Sequence, residues 1–372
     1  MKSGTHGGST KFDVCIDTLM NGCVNAYVQL FTLSHRDPVC VDELAQTMFS
    51  IPDEKLTWVQ DALINAEMMR RRSDFRGAFN EAVSLSQYFE SEGDKDQAIH
   101  QHQIALQYGM DSLDRALEAD AHESFGLLHE RLGMIKEAAL HHETSLKLAE
   151  IADLPEMKLK ASKNMLRVYM RCGEEALPKG EVEEAKSYFE RAVVIAKASG
   201  QTKEEAEAYA ALGNVTVLLG DLNKALEYQK RFMLVSRDRR NDHSESVAAL
   251  QVGRLQESLG KADEAIATLK SSLALAEQSN DLQSICDACR QLGEVYQRNN
   301  ERVKAVHYFN QSFKAARDIG NPQTVEDSRI ALGFALGEHY FLPKNDSGAT
   351  GYLSVVVDDM PTYLQWMSSG SL

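Results

Sequence analysis

The sequence has few of the features that mark secreted, membrane-spanning or disulfide-rich proteins. Its 372 residues include only six cysteines, which are scattered along the chain, so we expect reduced thiols rather than a disulfide framework. No apolar run approaches the length of a membrane-spanning helix, about 18 residues. The opening MKSGTHGGST has no apolar core like that of a signal peptide. We therefore expect a cytoplasmic chain that begins with a flexible leader at residues 1–11.

Motifs for catalysis and metal binding are also missing. Neither GxGxxG nor GxxxxGK occurs to bind phosphate. Cys286 and Cys289 form a lone CxxC with no matching pair, and we interpret both as packing residues of a helix. We predict no catalytic, cofactor-binding or metal-binding residue, and hence no enzyme. Three His-Glu pairs begin like the HExxH zinc motif but lack its second histidine: His122-Glu123, His129-Glu130 and His142-Glu143.

Four histidines leave one weak metal hypothesis open. His100, His102, His141 and His142 could meet on neighbouring helices and bind a metal ion. The favoured interpretation is that they are exposed histidines on the surface of a helical repeat.

The chain also has too little positive charge for nucleic acid. It has 40 lysines and arginines against 55 aspartates and glutamates, a formal net charge of −15. Nucleic acid binding needs a basic face to meet the phosphates, so this excess argues against it. It favours instead a protein partner whose surface is basic or of mixed charge.

What the sequence does have is an internal repeat of 40 residues. Such a period indicates a repeat architecture and decides the fold. Three columns keep this interval: Gly213, Gly253, Gly293 and Gly333; Ala225, Ala265 and Ala305; and the turn positions Gly220, Gly260 and Asn300.

Each repeat is predicted to be helix, tight turn, helix. Apolar residues fall at helical spacing on both sides of the turn residue. The glycine and alanine columns mark where the two antiparallel helices cross, since close approach requires small side chains. This arrangement resembles the tetratricopeptide repeat (TPR), lengthened from about 34 residues to 40.

The repeat extends toward the N-terminus. Ala98 and Ala138 lie 40 residues apart, and each follows a turn glycine by five residues. The next step, to Ala185, is 47 residues, so seven residues, about two helical turns, have been added to one helix at about 155–177. We predict six helix pairs with turns near residues 93, 133, 180, 220, 260 and 300, and a capping helix over 324–340.

The first 74 residues do not share this period. An apolar stripe predicts one helix over 11–35, which Arg36, Asp37 and Pro38 end. We expect a shorter helix over 41–49 and another over 53–72. The predicted fold is an all-α, right-handed TPR superhelical solenoid, divided into a leader (1–11), an N-terminal helical cap (12–74), the solenoid (75–342), and a linker with a C-terminal arm (343–372).

The C-terminal arm has two interpretations. After a polar linker, the residues Met360, Tyr363, Leu364 and Trp366 would form one apolar side of a short helix. The arm either folds back on the last repeats or docks on a partner.

The first helix of each pair is expected to line a concave groove. Some peptide-binding repeats have an asparagine one residue after each column glycine, and these asparagines clamp the peptide backbone. Here only Asn214 is an asparagine at this position, so that ladder is missing. The groove is either a solvated face or a scaffold surface for folded or coiled-coil partners. The candidate partner-binding residues are Asp120, Glu123, Glu130, Arg167, Glu174, Glu207, Asn214, Arg254, Glu257, Asp287, Arg290 and Glu294.

Several stretches resemble one family. They are VCIDTLMNGCVNAYVQLFTL, FNEAVSLSQYF, the block from LLHERLGMIKEAALHHE to SRIALGFALGEHY, and the ending DDMPTYLQWM. The chain resembles the tetratricopeptide repeat protein 29 family. The resemblance implies a non-enzymatic axonemal component of motile cilia and flagella, with dynein-arm subunits, docking coiled coils or intraflagellar transport proteins as partners. Because tubulin surfaces are acidic, we expect only indirect microtubule association. The alternative is a soluble adaptor that binds peptide motifs during intraflagellar transport or cytoplasmic dynein preassembly.

Overall fold

The computed structural model describes residues 11–42 and 47–341. It consists of two compact units, an N-terminal unit that ends at Cys172 and a C-terminal unit that begins at Gly173. None of the described helices is both long enough and apolar enough to cross a membrane.

The N-terminal unit contains seven complete helices, a two-stranded hairpin and most of an eighth helix within the described residues. Its elements are α1 (Lys11–Met20), α2 (Val24–His35), β1 (Val39–Asp42), β2 (Thr47–Phe49), α3 (Asp53–Arg71), α4 (Phe75–Ser91), α5 (Lys95–Asp111), α6 (Arg115–Arg131), α7 (Ile135–Ile151) and α8 (Pro155–Ala176), whose last turn belongs to the next unit.

The C-terminal unit continues the helix pairs. After a 3₁₀ turn at Leu177–Lys179 come α9 (Val182–Ser199), α10 (Thr202–Leu218), α11 (Leu222–Asp238), α12 (Asp242–Ser258), α13 (Ala262–Gln278), α14 (Leu282–Arg298), α15 (Arg302–Ile319) and α16 (Pro322–Phe341).

The N-terminal region corrects two sequence predictions. The single helix over 11–35 is wrong because Gly22 adopts a left-handed conformation (φ 76°) and separates α1 from α2. The helix over 41–49 is also wrong, because this stretch forms an antiparallel hairpin in which Val39 faces Phe49 and Cys40 faces Met48. The hairpin agrees with the β-branched and aromatic residues of its strands, and Phe49 is buried in the core of this unit.

The six predicted helix pairs are confirmed within the described residues. Their turns lie where the sequence placed them, with left-handed φ angles of 76–82° at the five glycines and 60° at Asn300. The insertion lengthens α8, and α16 supplies the predicted final helix. The fold is a TPR solenoid.

The glycine column exists because each glycine faces a side chain from the second helix of its own pair. A Cβ atom at Gly293 would lie 2.8 Å from the ring of Phe309, and one at Gly253 would lie 2.6 Å from Leu269. In both pairs the contacting residue comes 16 positions after the glycine. A bulky residue at Gly253 or Gly293 would force the two helices apart or displace the contacting side chain.

Candidate functional site

In the N-terminal unit, the predicted groove residues form ion pairs between neighbouring first helices. Glu123 of α6 accepts a hydrogen bond from Asn164 Nδ2 (2.9 Å) and forms an ion pair with Lys160 Nζ (2.9 Å). Both partners lie on α8. Asp120 of α6 likewise pairs with Arg76 of α4. Glu123 is only 5% exposed, so it is buried in contacts within the protein.

The pair of Glu130 and Arg167 is the most tightly bonded of these contacts. Arg167 donates from Nε to Oε2 (2.8 Å) and from Nη2 to Oε1 (2.7 Å), and His142 Nε2 lies 2.7 Å from Oε1. Burial alone would raise the pKa of Glu130, but the hydrogen bonds from Arg167 and His142 outweigh it and lower this pKa to about 2. The carboxylate is therefore ionised, and both of its oxygens bind partners inside the N-terminal unit.

A cluster of histidines lies beside this pair. The histidine cluster comprises His102 of α5, His122 and His129 of α6, and His141 and His142 of α7. The Nδ1 atoms of His122 and His141 are 3.0 Å apart, and the rings of His129 and His141 stack at 5.2 Å. His102 Nε2 lies 2.9 Å from Ser124 Oγ.

Burial is the largest cause of perturbed pKa values in this cluster. It lowers the pKa of His102 and of His141 to about 4, and neighbouring positive charges and histidines add to the effect. The pKa values of His122 and His129 are lowered as well, again chiefly by burial. These four rings are neutral at neutral pH.

The sequence interpretation of exposed histidines is wrong for two of its four residues. His102 is 1% exposed and His142 is fully buried, whereas His100 is exposed. His102 and His142 each follow a column alanine by four residues, the position that Phe309 and Leu269 occupy in later repeats. That register was the available signal for burial. Over the described residues, no group of three or more candidate ligands has a geometry that could hold a metal ion.

In the C-terminal unit, the first predicted groove residues are exposed. Glu174, Glu207 and Asn214 all lie at the surface. Lys203 Nζ is 3.7 Å from Glu207, and Asn214 Oδ1 accepts a hydrogen bond from Gln229 Nε2 (3.3 Å).

The remaining predicted residues of this unit lie on α12 and α14, where most charges are paired. Arg298 of α14 forms an ion pair with Glu257 of α12, and Arg290 Nη2 lies 3.2 Å from Asp287 Oδ1. Burial raises the pKa of Glu257, and Arg298 opposes that effect. Glu294 accepts a hydrogen bond from Gln291 Nε2 (3.2 Å).

Arg254 of α12 differs from these residues. Its guanidinium makes no ion pair or hydrogen bond with any described residue, and its Nε is buried without an acceptor. Burial lowers the pKa of Arg254, and the positive charge of Arg290 is the next cause. On α16, Ile330 is 47% exposed and Phe334 is 70% exposed.

Two other predicted sets have clear outcomes. Cys286 and Cys289 are buried at 2% and 1% exposure, which confirms the packing interpretation. Burial raises the pKa of the Cys289 thiol to about 12, so it is unreactive at neutral pH. The predicted docking arm, Met360, Tyr363, Leu364 and Trp366, lies outside the described residues.

Comparison with solved structures gives only weak overall similarity. A TPR protein described as having an unusual peptide-binding site, YrrB, has a TM-score of 0.40 at 19% identity, covering 61% of this chain and 98% of that protein. A signal transduction ATPase with a TPR sensor from Pyrococcus horikoshii has a TM-score of 0.46 at 12% identity, covering 97% of this chain and 51% of that protein.

Comparison with curated sequences is more specific, although no family model matches the chain. Tetratricopeptide repeat protein 29 of Trypanosoma brucei brucei is 41% identical over 364 residues, which cover 98% of this chain and 75% of that protein. The human protein of the same name is 29% identical over 222 residues, covering 55% of this chain and 46% of that protein. The resemblance seen in the N-terminal and repeat stretches is thereby confirmed, and the chain belongs to the tetratricopeptide repeat protein 29 family.

Proposed function

We propose that the protein is a non-enzymatic scaffold of the axoneme in motile cilia and flagella, which binds dynein-arm or docking subunits through its TPR surface. The main structural support is the set of first helices in the C-terminal unit. They contain Arg254, which forms no ion pair with a described residue, and the exposed side chains of Ile330 and Phe334. TPR arrays offer extended surfaces for protein partners. The axonemal setting is what the resemblance to this family implies.

The net charge supports an indirect association with microtubules. Tubulin surfaces are acidic, and a chain with a formal net charge of −15 would be repelled from them at long range. An intermediate protein, such as a dynein subunit or a docking coiled coil, would join the two.

A soluble adaptor in intraflagellar transport or cytoplasmic dynein preassembly is the second candidate. Arg254 favours it, because a single cation that has no ion pair with a described residue can bind one acidic residue of a short peptide without an assembled partner.

Fractionation of flagella separates the two candidates. Detergent would first extract the membrane and matrix, and high salt would then release dyneins, with dynein heavy chains and a matrix protein followed as markers. The scaffold should resist detergent and leave with the dynein heavy chains in high salt. Recovery with the detergent-soluble matrix would contradict the scaffold and support the adaptor.

A further inference from the structure

One cation of the C-terminal unit, Arg254, is partly buried and has no counterion among the described residues. Arg254 is partly buried on α12, its Nε has no acceptor, and no described carboxylate forms an ion pair with its guanidinium. Leaving a charged, partly desolvated group unpaired costs stability. Arg167 of the N-terminal unit shows the usual solution, since it donates two hydrogen bonds to one carboxylate.

The acidic residues near Arg254 are engaged elsewhere. Asp287 pairs with Arg290, Glu257 pairs with Arg298, and Glu294 accepts from a glutamine. The positive charge of Arg290 lowers the pKa of Arg254, whereas the negative charges of Asp287 and Glu294 raise it. Three arginines and three carboxylates surround this point, so the local charges balance, and Arg254 is the arginine that has no carboxylate partner among the described residues.

On α16, apolar side chains occupy the positions that these arginines hold in the two preceding repeats. Ile330 occupies the position of Arg290 in the next repeat, and Phe334 occupies the position of Arg254 two repeats later. These positions recur on the first helices α12, α14 and α16, and Phe334 is 70% exposed. A ligand along this face would pass from the arginines of α12 and α14, across Glu294, to the apolar side chains of α16.

We propose that Arg254 and Arg290 bind an aspartate or glutamate side chain of a partner protein, and that Ile330 and Phe334 bind an apolar residue of the same peptide segment. Arginine suits this role because its planar fork donates two parallel hydrogen bonds to one carboxylate. Asp287, Glu257 and Glu294 border the site and repel a dense polyanion, so a segment with few acidic residues fits better than nucleic acid or a polyglutamate tract. The inference rests on the proposed binding function and names the chemistry of the bound segment.

Binding of defined peptides to the full chain tests this site. Two labelled pools of short peptides would be compared by fluorescence anisotropy at low salt. In one pool, an Asp-Asp pair precedes aromatic and aliphatic residues in random order, and in the other, Asn-Asn replaces the acidic pair. A hydrogen bond to a charged group contributes about 1.5–3 kcal/mol. We therefore expect the acidic pool to bind at least about tenfold more tightly.

Point variants of the chain then identify the binding residues. Arg254→Gln and Arg290→Gln should each reduce binding of the acidic pool about tenfold, by the loss of one charged hydrogen-bonding group. Phe334→Ser should weaken both pools, since it removes apolar contact area. Arg317→Gln is the matched control, because it removes an exposed arginine from the second helix α15 and should leave binding unchanged. Circular dichroism would verify that each variant is folded.

Two results would overturn the proposal. Equal binding of the acidic and amide pools would show that no carboxylate site exists, as would full binding by Arg254→Gln together with Arg290→Gln. Binding of the acidic pool only after removal of residues 343–372 would assign the site to the chain's own segment, which contains Asp358 and Asp359 before Met360. The fractionation result is independent of both, so a failed axonemal assignment and a failed peptide site are distinguishable.

Discussion

The histidine cluster predicts that the N-terminal unit loses stability as the pH falls from about 6.5 to 4. Unfolded histidines titrate near their ordinary value of 6.5, whereas burial lowers the pKa of His102 and of His141 to about 4 in the folded unit. Between these values the unfolded state binds more protons than the folded state. Stability therefore decreases as the pH decreases across this window.

The size of the effect follows from His102, which is 1% exposed. One pKa unit corresponds to about 1.4 kcal/mol. Because the pKa of His102 is lowered from 6.5 to about 4 on folding, protonation of this ring reduces the free energy of unfolding by about 3 kcal/mol when complete and by about 2 kcal/mol at pH 5. His141 adds less than its shift suggests, because it is only partly buried and solvent screens its charge. The two rings lie in one cluster, so their contributions are not additive.

The charged groups around the cluster determine what else titrates in this window. Glu130 has a pKa of about 2 and remains ionised throughout, so its contribution is lost only as the pH falls from about 4.5 toward 2. The other charged neighbours that act on these histidines or on Glu130 are Glu118, Arg131, Glu137 and Arg167.

Hydrogen exchange on the full chain measures this effect locally. The amides of α5, α6 and α7 should lose protection at pH 5 relative to pH 7, after correction for intrinsic exchange. His102→Gln keeps a hydrogen-bonding side chain but cannot titrate, so the loss of stability should shrink by up to about 2 kcal/mol at pH 5. His100→Gln, an exposed residue on the same helix, is the matched control. Unchanged pH dependence in His102→Gln would refute the reasoning.

Two further predictions concern packing and charge. Gly293→Val should lower the free energy of unfolding by about 1–3 kcal/mol, because its Cβ would lie 2.8 Å from the ring of Phe309. Gly337→Val is the control, because a Cβ at Gly337 would have no atom within 4 Å, and it should not lower the free energy of unfolding in this way. An equal loss of stability for both variants in urea unfolding would contradict the packing argument. Arg254→Met should leave the melting temperature unchanged or raise it, whereas Arg167→Met should lower it, because the buried carboxylate of Glu130 would lose its cationic partner. A lower melting temperature for Arg254→Met would show that this arginine is structural.

The sequence predicted the repeat region well because backbone contact leaves a periodic signal. A small residue, in most pairs a glycine, is favoured where a bulky residue of the second helix meets the first, as Phe309 meets Gly293, and this contact recurs at the repeat interval. The turn glycines recur for a second reason, the left-handed conformation that they adopt. Both constraints act on the backbone, so they remain visible whichever side chains surround them.

The sequence predicted only part of the features that depend on which side chains meet across several helices. It suggested that His102, His141 and His142 could meet, but not that His122 and His129 of α6 join them, because these two residues occupy no column position. The hairpin at Val39–Asp42 and Thr47–Phe49 was missed because its strands are too short for alternation to compete with a helical pattern.

The pairing of charges between repeats limits what the first-helix face can recognise. A repeat of about 40 residues places side chains of successive first helices opposite each other, and so Glu123 meets Asn164 at a separation of 41 residues, as Glu257 meets Arg298. A charge that is neutralised in this way holds adjacent repeats together and is poorly available to a ligand, since binding would have to break an existing pair. Recognition by charge must then depend on residues without such a partner. In the described part of the C-terminal unit, Arg254 meets that condition. Its position therefore matters more for partner choice than the total charge of the groove.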